Sequence, residues 1–475
     1  MKHFPLKNRT GGNQGSALLL AALWVCILVR PAAAFLSDLT IDKERQIGEE
    51  FFLEVQNQYP LCRDPFLISY LNRVGQKLSA QSGSSAFQYQ FFIVEEPSMN
   101  AFAVPGGYIF ITSGFLRMME REGELAGVLA HEIAHISGRH MAKIMEKARL
   151  VTAATLIAAL ASVFLGGALA QPLLMGSMAA GESAMLKYSR DHEQEADSVG
   201  FRIMVKAGYH PRDMISIFNK MNKQRWFEGG KIPIYLSTHP DLENRLVDLA
   251  HQLAANEGKL PPAVQNPEFA YFTVKIEAVY GNANQMVRRM TQEGLKDPRN
   301  ALYPYGKALA LARLERSEEA TAAFQAALKL APGNYLIRRD LAIHYFERNR
   351  FGDAEPLFRE LSQARPMDDV ILYYLGRIAQ ERRQTDQALA LFEKMHRLNP
   401  TFIDVYLNLG TLYGEKGRLG PGHYYLGLHS LRARAYPTAL FHFRKSLTHL
   451  TPGDHRYAEA RRQVARLERM RVRVN

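Results

Sequence analysis

Two histidines four residues apart, with a glutamate directly after the first, stand in the segment ELAGVLAHEIAHISGRH, Glu124 to His140. If this segment is one helix, that spacing puts His131 and His135 on one face, where both imidazoles can reach a single zinc ion at about 2.0–2.1 Å. Glu132 follows the first histidine, so its carboxylate can meet an attacking water without being a ligand itself. The motif is short, and chance alone would place it in roughly a few per hundred chains of this length. It predicts a hydrolytic zinc centre only when joined by a third ligand, because three protein ligands leave one position open.

Gly138 and His140 extend the motif toward an HExxHxxGxxH form, but the third histidine of that form would stand where this chain has Met141. His140 is one residue short, turned about 100° around the helix axis, and is expected to be structural or to support a ligand from behind. A better third donor lies in KYSRDHEQEAD, Lys187 to Asp197. Glu193 and Asp197 are four apart on one helical face, so Glu193 is expected to complete the metal site and Asp197 to hydrogen-bond a ligating histidine. Glu195 points elsewhere on that helix.

These side chains need a frame. Gln88–Val94 and Tyr108–Thr112 read as strands joined through Asn100–Gly107, and a sheet edge beside the zinc helix would bind an extended peptide by main-chain pairing. Val151–Ala170 is twenty uncharged residues. A single membrane span there would put Glu193 across the bilayer from His131, and the run to Met185 is too short for two spans. A hairpin of short apolar helices is expected, either packed on the domain or dipping into a membrane surface.

The chain has 475 residues, 47% apolar and 22% charged, an ordinary globular balance for about three domains. Residues 1–34 read as an export signal: Lys2, Lys7 and Arg9, an apolar run from Ser16 to Val29, then Ala32-Ala33-Ala34. Its removal lowers the formal charge from +12 to +8 and leaves Cys62 as the lone cysteine, so no intrachain disulfide supports the fold. Arg456, Arg461, Arg462, Arg466, Arg469, Arg471 and Arg473 crowd the end; in an exported protein they read as a solvated face or a contact for anionic membrane, not for nucleic acid.

A zinc domain over 35–262 is expected to end in the linker Lys259–Pro267, with a repeat domain over 263–475. Pro298, Pro332, Pro366 and Pro400 stand 34 residues apart. Ala308, Ala342, Gly376 and Gly410 recur in the first helices, and Phe324, Phe358 and Phe392 in the second ones. That is the tetratricopeptide pattern, a solenoid of paired helices whose groove suits extended partners. A last unit with Leu426-Gly427, Ala439 and Phe443 reappears out of phase, after an apparent insertion at Gly417–Gly422.

The zinc helix, the later Glu193-x-x-Ala-Asp197 and the tripeptide Thr238-His239-Pro240 resemble the zinc peptidase family that includes the CAAX prenyl proteases and HtpX. The resemblance implies a mostly α protein: a gluzincin-type metallopeptidase domain with a small β-sheet, then the α-solenoid. It implies one zinc ion on His131, His135 and Glu193, Glu132 as catalytic base, Asp197 as proton donor, and His239 as a fourth ligand or latch. With signal and repeats, the chain is similar to periplasmic members of that family. The resemblance then implies unfolded or misassembled outer-membrane proteins as substrates, and the assembly machinery as partner of the repeats. A chaperone-like adaptor with a latched or inactive zinc site is the rival reading. The several membrane spans of the prenyl proteases are missing, so prenylated substrates are not implied.

Overall fold

The computed structural model describes residues 39–148, 188–227, 233–263, 265–399, 402–433 and 435–469. The export signal expected over 1–34 and the apolar hairpin expected from Val151 lie outside them. Among the described residues no helix is long and apolar enough to cross a membrane. The chain divides into two compact units, 1–276 and 277–475.

The first unit opens with α1 (Ile41–Gln58) and α2 (Pro65–Ser79), whose starts are marked by side-chain caps. Thr40 accepts from the Lys43 amide and Asp64 from the Leu67 amide, each satisfying an N–H the helix leaves open. Three strands follow, β1 (Gln90–Val94), β2 (Ala101–Val104) and β3 (Tyr108–Thr112), in the order β1-β3-β2. β1 runs parallel to β3 and β2 antiparallel to it, with Phe102 opposite Phe110. β2 lies in the segment expected to be only a connection. All four of its residues are buried, so it has no polar alternation to betray it. The turn between β2 and β3 needs positive φ at Gly106 (88°) and Gly107 (100°), which glycine adopts without strain.

After the short α3 (Ser113–Leu116), helix α4 (Glu122–Ser137) carries the two histidines through the middle of the unit and is buried from Gly123 to Ile136. It is shorter than the single helix expected over 124–140. Gly138 caps it, Arg139 takes a left-handed φ of 52°, and His140 opens a new helix, α5 (His140–Ala148). α6 (Arg190–Lys206) packs on α4, capped by Ser189, whose hydroxyl accepts from the His192 amide. The approach is close: a Cβ on Gly200 would stand 3.2 Å from the amide nitrogen of His131. α7 (Arg212–Phe227), α8 (Ile234–Thr238) and α9 (Leu242–Ala255) complete the wall behind the histidines. In α10 (Pro267–Tyr280), Phe269 and Phe272 stand 6.0 and 4.6 Å from the Tyr70 ring. The linker 259–267 and most of the helix after it therefore belong to the first unit.

The second unit is a run of helix hairpins. α11 (Ala283–Lys296) precedes α12 (Leu302–Arg313) with α13 (Ser317–Leu330), α14 (Tyr335–Glu347) with α15 (Phe351–Ala364), and α16 (Asp369–Glu381) with α17 (Thr385–Leu398). The recurring small residues work as the repeat pattern requires. A Cβ on Gly376 would meet the Phe392 ring at 2.7 Å, so the ring of one helix fills the gap left by its partner. The apparent insertion at Gly417–Gly422 is the tight turn after α18 (Asp404–Glu415) and the start of α19 (Leu419–Arg432), followed by α20 (Tyr436–His449) and α21 (His455–Arg469). Against Gly410, α19 offers Leu426; against Phe443 of α20 it offers Gly427. The same helix closes one hairpin and opens the next. That sharing, not an inserted loop, shifts the repeat by half a period.

Candidate metal centre

The backbone geometry above brings His131 and His135 of α4, Glu193 of α6 and His239 at the end of α8 to one buried point. One donor atom from each of the four lies within 4.8 Å of every other. His131 Nε2 stands 3.0 Å from His135 Nε2 and 3.3 Å from His239 Nδ1. Glu193 Oε1 stands 3.1 Å from His239 Nδ1 and 3.4 Å from His135 Nε2. Four lone-pair donors facing inward at these distances, three imidazoles and a carboxylate, fit a borderline divalent cation such as zinc. Burial pushes His135 well below its ordinary value, which keeps it neutral as a metal ligand must be.

Each donor is held from behind. His131 Nδ1 lies 2.9 Å from Asp197 Oδ1, fixing the ring so that Nε2 faces the cluster. His135 Nδ1 lies 2.9 Å from His140 Nδ1, and Glu195 faces the far nitrogen of His140 at 3.2 Å. The new helix begun at His140, rather than a continuous one, turns that ring back toward His135. Rings of Tyr188 and Tyr235 stack on His135 and His239 at 3.8 and 4.3 Å between centroids.

Arg245 of α9, fully buried, was not singled out by the sequence reading. It donates to both oxygens of Asp197, at 2.7 and 2.8 Å, and pairs with Glu193. Burial raises both carboxyls; Arg245, together with the histidines beside them, outweighs it and holds Asp197 low and Glu193 well below the usual carboxylate range. The signal for it was present: Arg245 lies between Leu242 and Leu249 at helical spacing, an arginine in the apolar stripe of α9.

Glu132 stands outside this hydrogen-bond network. It is fully buried, both of its oxygens have no hydrogen-bond partner, and His239 Nε2 is 3.8 Å away. Burial pushes its carboxyl above the ordinary value against the pull of His239 and His131. His239 lies just past the end of α8, before Pro240, with φ −116° and ψ 82°, outside the helix but short of the fully extended backbone expected for a residue before proline.

Residues 67–253 match the model of peptidase family M48, and residues 311–376 match a tetratricopeptide repeat. The beta-barrel assembly-enhancing protease of Yersinia pestis is 30% identical over 304 residues, 62% of this chain and 62% of the relative. Its counterpart in Escherichia coli (strain K12) is 31% identical over 305 residues, 63% of this chain and 62% of that one. The mitochondrial metalloendopeptidase OMA1 of Schizosaccharomyces pombe is 32% identical over 216 residues, 44% of this chain and 61% of the relative. The match thus spans about three fifths of the length of each of these curated relatives. The His-Glu cluster and these matches agree: the chain carries a domain of peptidase family M48, followed by tetratricopeptide repeats.

Proposed function

We propose that the chain is a periplasmic zinc endopeptidase that degrades misassembled outer-membrane proteins and assists their assembly, its repeats recruiting substrate or assembly machinery. One observation carries the peptidase reading: Glu132, buried and unpartnered, stands beside four converging metal donors. When bound there on His131, His135 and Glu193, zinc supplies Lewis acidity to the scissile carbonyl and the attacking water. Glu132 takes a proton from that water and returns it to the leaving amine. Asp197, kept ionised by Arg245, orients His131. β2, an edge strand that packs on α4, is the strand an extended peptide would pair with once its buried edge is uncovered. The names of the relatives support the outer-membrane assignment. Cleavage of casein, or of an unfolded barrel protein, should stop on chelation and return with added zinc; turnover indifferent to chelator overturns the reading.

His239 is the latch in this reading. Its Nδ1 occupies the side of the cluster that three protein ligands leave open to water. His239→Ala should retain zinc and cleave severalfold faster than wild type. Equal or slower cleavage at equal zinc content would leave His239 with a substrate-binding role instead.

The repeats are proposed to recruit. Because Phe269 and Phe272 pack on Tyr70, a chain meant to keep the first unit whole should end after Tyr280, not in the linker. Such a chain should bind zinc and cleave casein at a rate near wild type, yet fail to relieve an outer-membrane assembly defect in cells. Full relief would remove the recruitment role.

A further inference from the structure

The hairpin of α19 and α20 gathers three histidines on one side. His423, in the first turns of α19, and His442, midway along α20, point their Nδ1 atoms at each other across 2.9 Å. His449, in the last turn of α20, stacks on His423 with centroids 6.3 Å apart and planes within 16°. His423 and His442 are half-buried and His449 is exposed.

We propose that His423 and His442 form a second metal site, separate from the M48 centre, for a borderline transition-metal cation: zinc, nickel or copper. The spacing is the first argument. Two imidazole nitrogens each about 2.1 Å from one ion stand roughly 3.0–3.4 Å apart, and the His423–His442 separation matches within a tenth that of His131 and His135, 3.0 Å. The donor set is the second. It is all imidazole, which suits zinc, copper and nickel and gives nothing to magnesium or calcium.

A metal takes the place of the shared proton once the ring that donates it moves that proton from Nδ1 to Nε2, so that both Nδ1 lone pairs face the ion. Lys445 opposes a cation here, so the site should bind more weakly than the buried centre. The two donors come from separate helices, and an ion between them would tie α19 to α20, stabilising the hairpin in proportion to the logarithm of metal concentration.

The test uses the untagged full chain, dialysed against nickel or zinc, with metal counted per chain and melting followed in excess metal. Wild type should hold two ions, and the double variant His423→Gln, His442→Gln one, with casein cleavage unchanged. Glu193→Ala should keep the second ion and lose the first. Excess nickel should raise the melting temperature of wild type and Glu193→Ala but not of the double variant. One ion in wild type, lost in Glu193→Ala and kept in the double variant, overturns the second site and leaves the peptidase reading intact. One ion that is lost only in the double variant upholds the second site and overturns the catalytic one. An equal nickel response in wild type and double variant overturns the second site.

Discussion

Glu132→Gln should fold and bind zinc as the wild type does, yet cleave unfolded casein about 10²–10⁴-fold more slowly, the usual cost of removing a general base. The amide has the size of the carboxylate but cannot accept the proton that the attacking water gives up. Nothing else changes, because neither oxygen of Glu132 makes a hydrogen bond that the amide would break. Burial already disfavours the charged form of Glu132, so a neutral group of the same shape should leave the melting temperature level or higher. Zinc content, melting temperature and initial rate on one preparation decide the matter. Turnover like wild type at full zinc would remove Glu132 from the chemistry.

The parts of this centre that were legible in the sequence are those fixed by local geometry. His131, Glu132 and His135 lie on consecutive turns of one helix, and Glu193 with Asp197 repeats the spacing on a second. The 34-residue register of the hairpins is equally local, a small residue in one helix answering a ring in the next. What stayed hidden depends on tertiary placement. β2 is buried on both faces and shows no alternation. The break at Arg139 that turns His140 toward His135 hangs on one left-handed residue after Gly138, and a lone glycine does not by itself end a helical pattern. The double duty of α19 reads as an insertion because a shared helix is not a feature of any single repeat. Arg245 escaped for another reason. A lone arginine in a stripe is ordinarily a solvated one, and only the meeting of two carboxylates from α6 explains its burial.

That burial makes Arg245→Met the substitution with the largest expected cost to stability. The guanidinium is about 1% exposed and is shared between Glu193 and Asp197, with its plane above the Phe218 ring at 4.8 Å. Methionine fills the volume but leaves two carboxylates buried without their cation, a loss of about 3–5 kcal/mol for a broken buried pair. The pH dependence separates charge from packing. In the wild type both carboxyls are held below their ordinary values. They therefore add stability that is present above the usual carboxylate range and is lost as pH falls through their lowered values. Without Arg245 burial dominates, the carboxyls rise, and that contribution vanishes. The gap between wild type and Arg245→Met should be widest at neutral pH and narrow as the solution is made acid, in denaturant melts run with chelator so that metal release does not intrude. A gap independent of pH would assign the loss to the Phe218 contact instead. Arg245→Lys should fall between the two, since one ammonium restores the charge but lacks the fork that grips both oxygens of Asp197. The same logic reaches the metal. A Glu193 that carries a proton is a poor ligand, so zinc affinity in Arg245→Met should drop at neutral pH and recover toward alkaline pH, as the carboxyl gives up that proton.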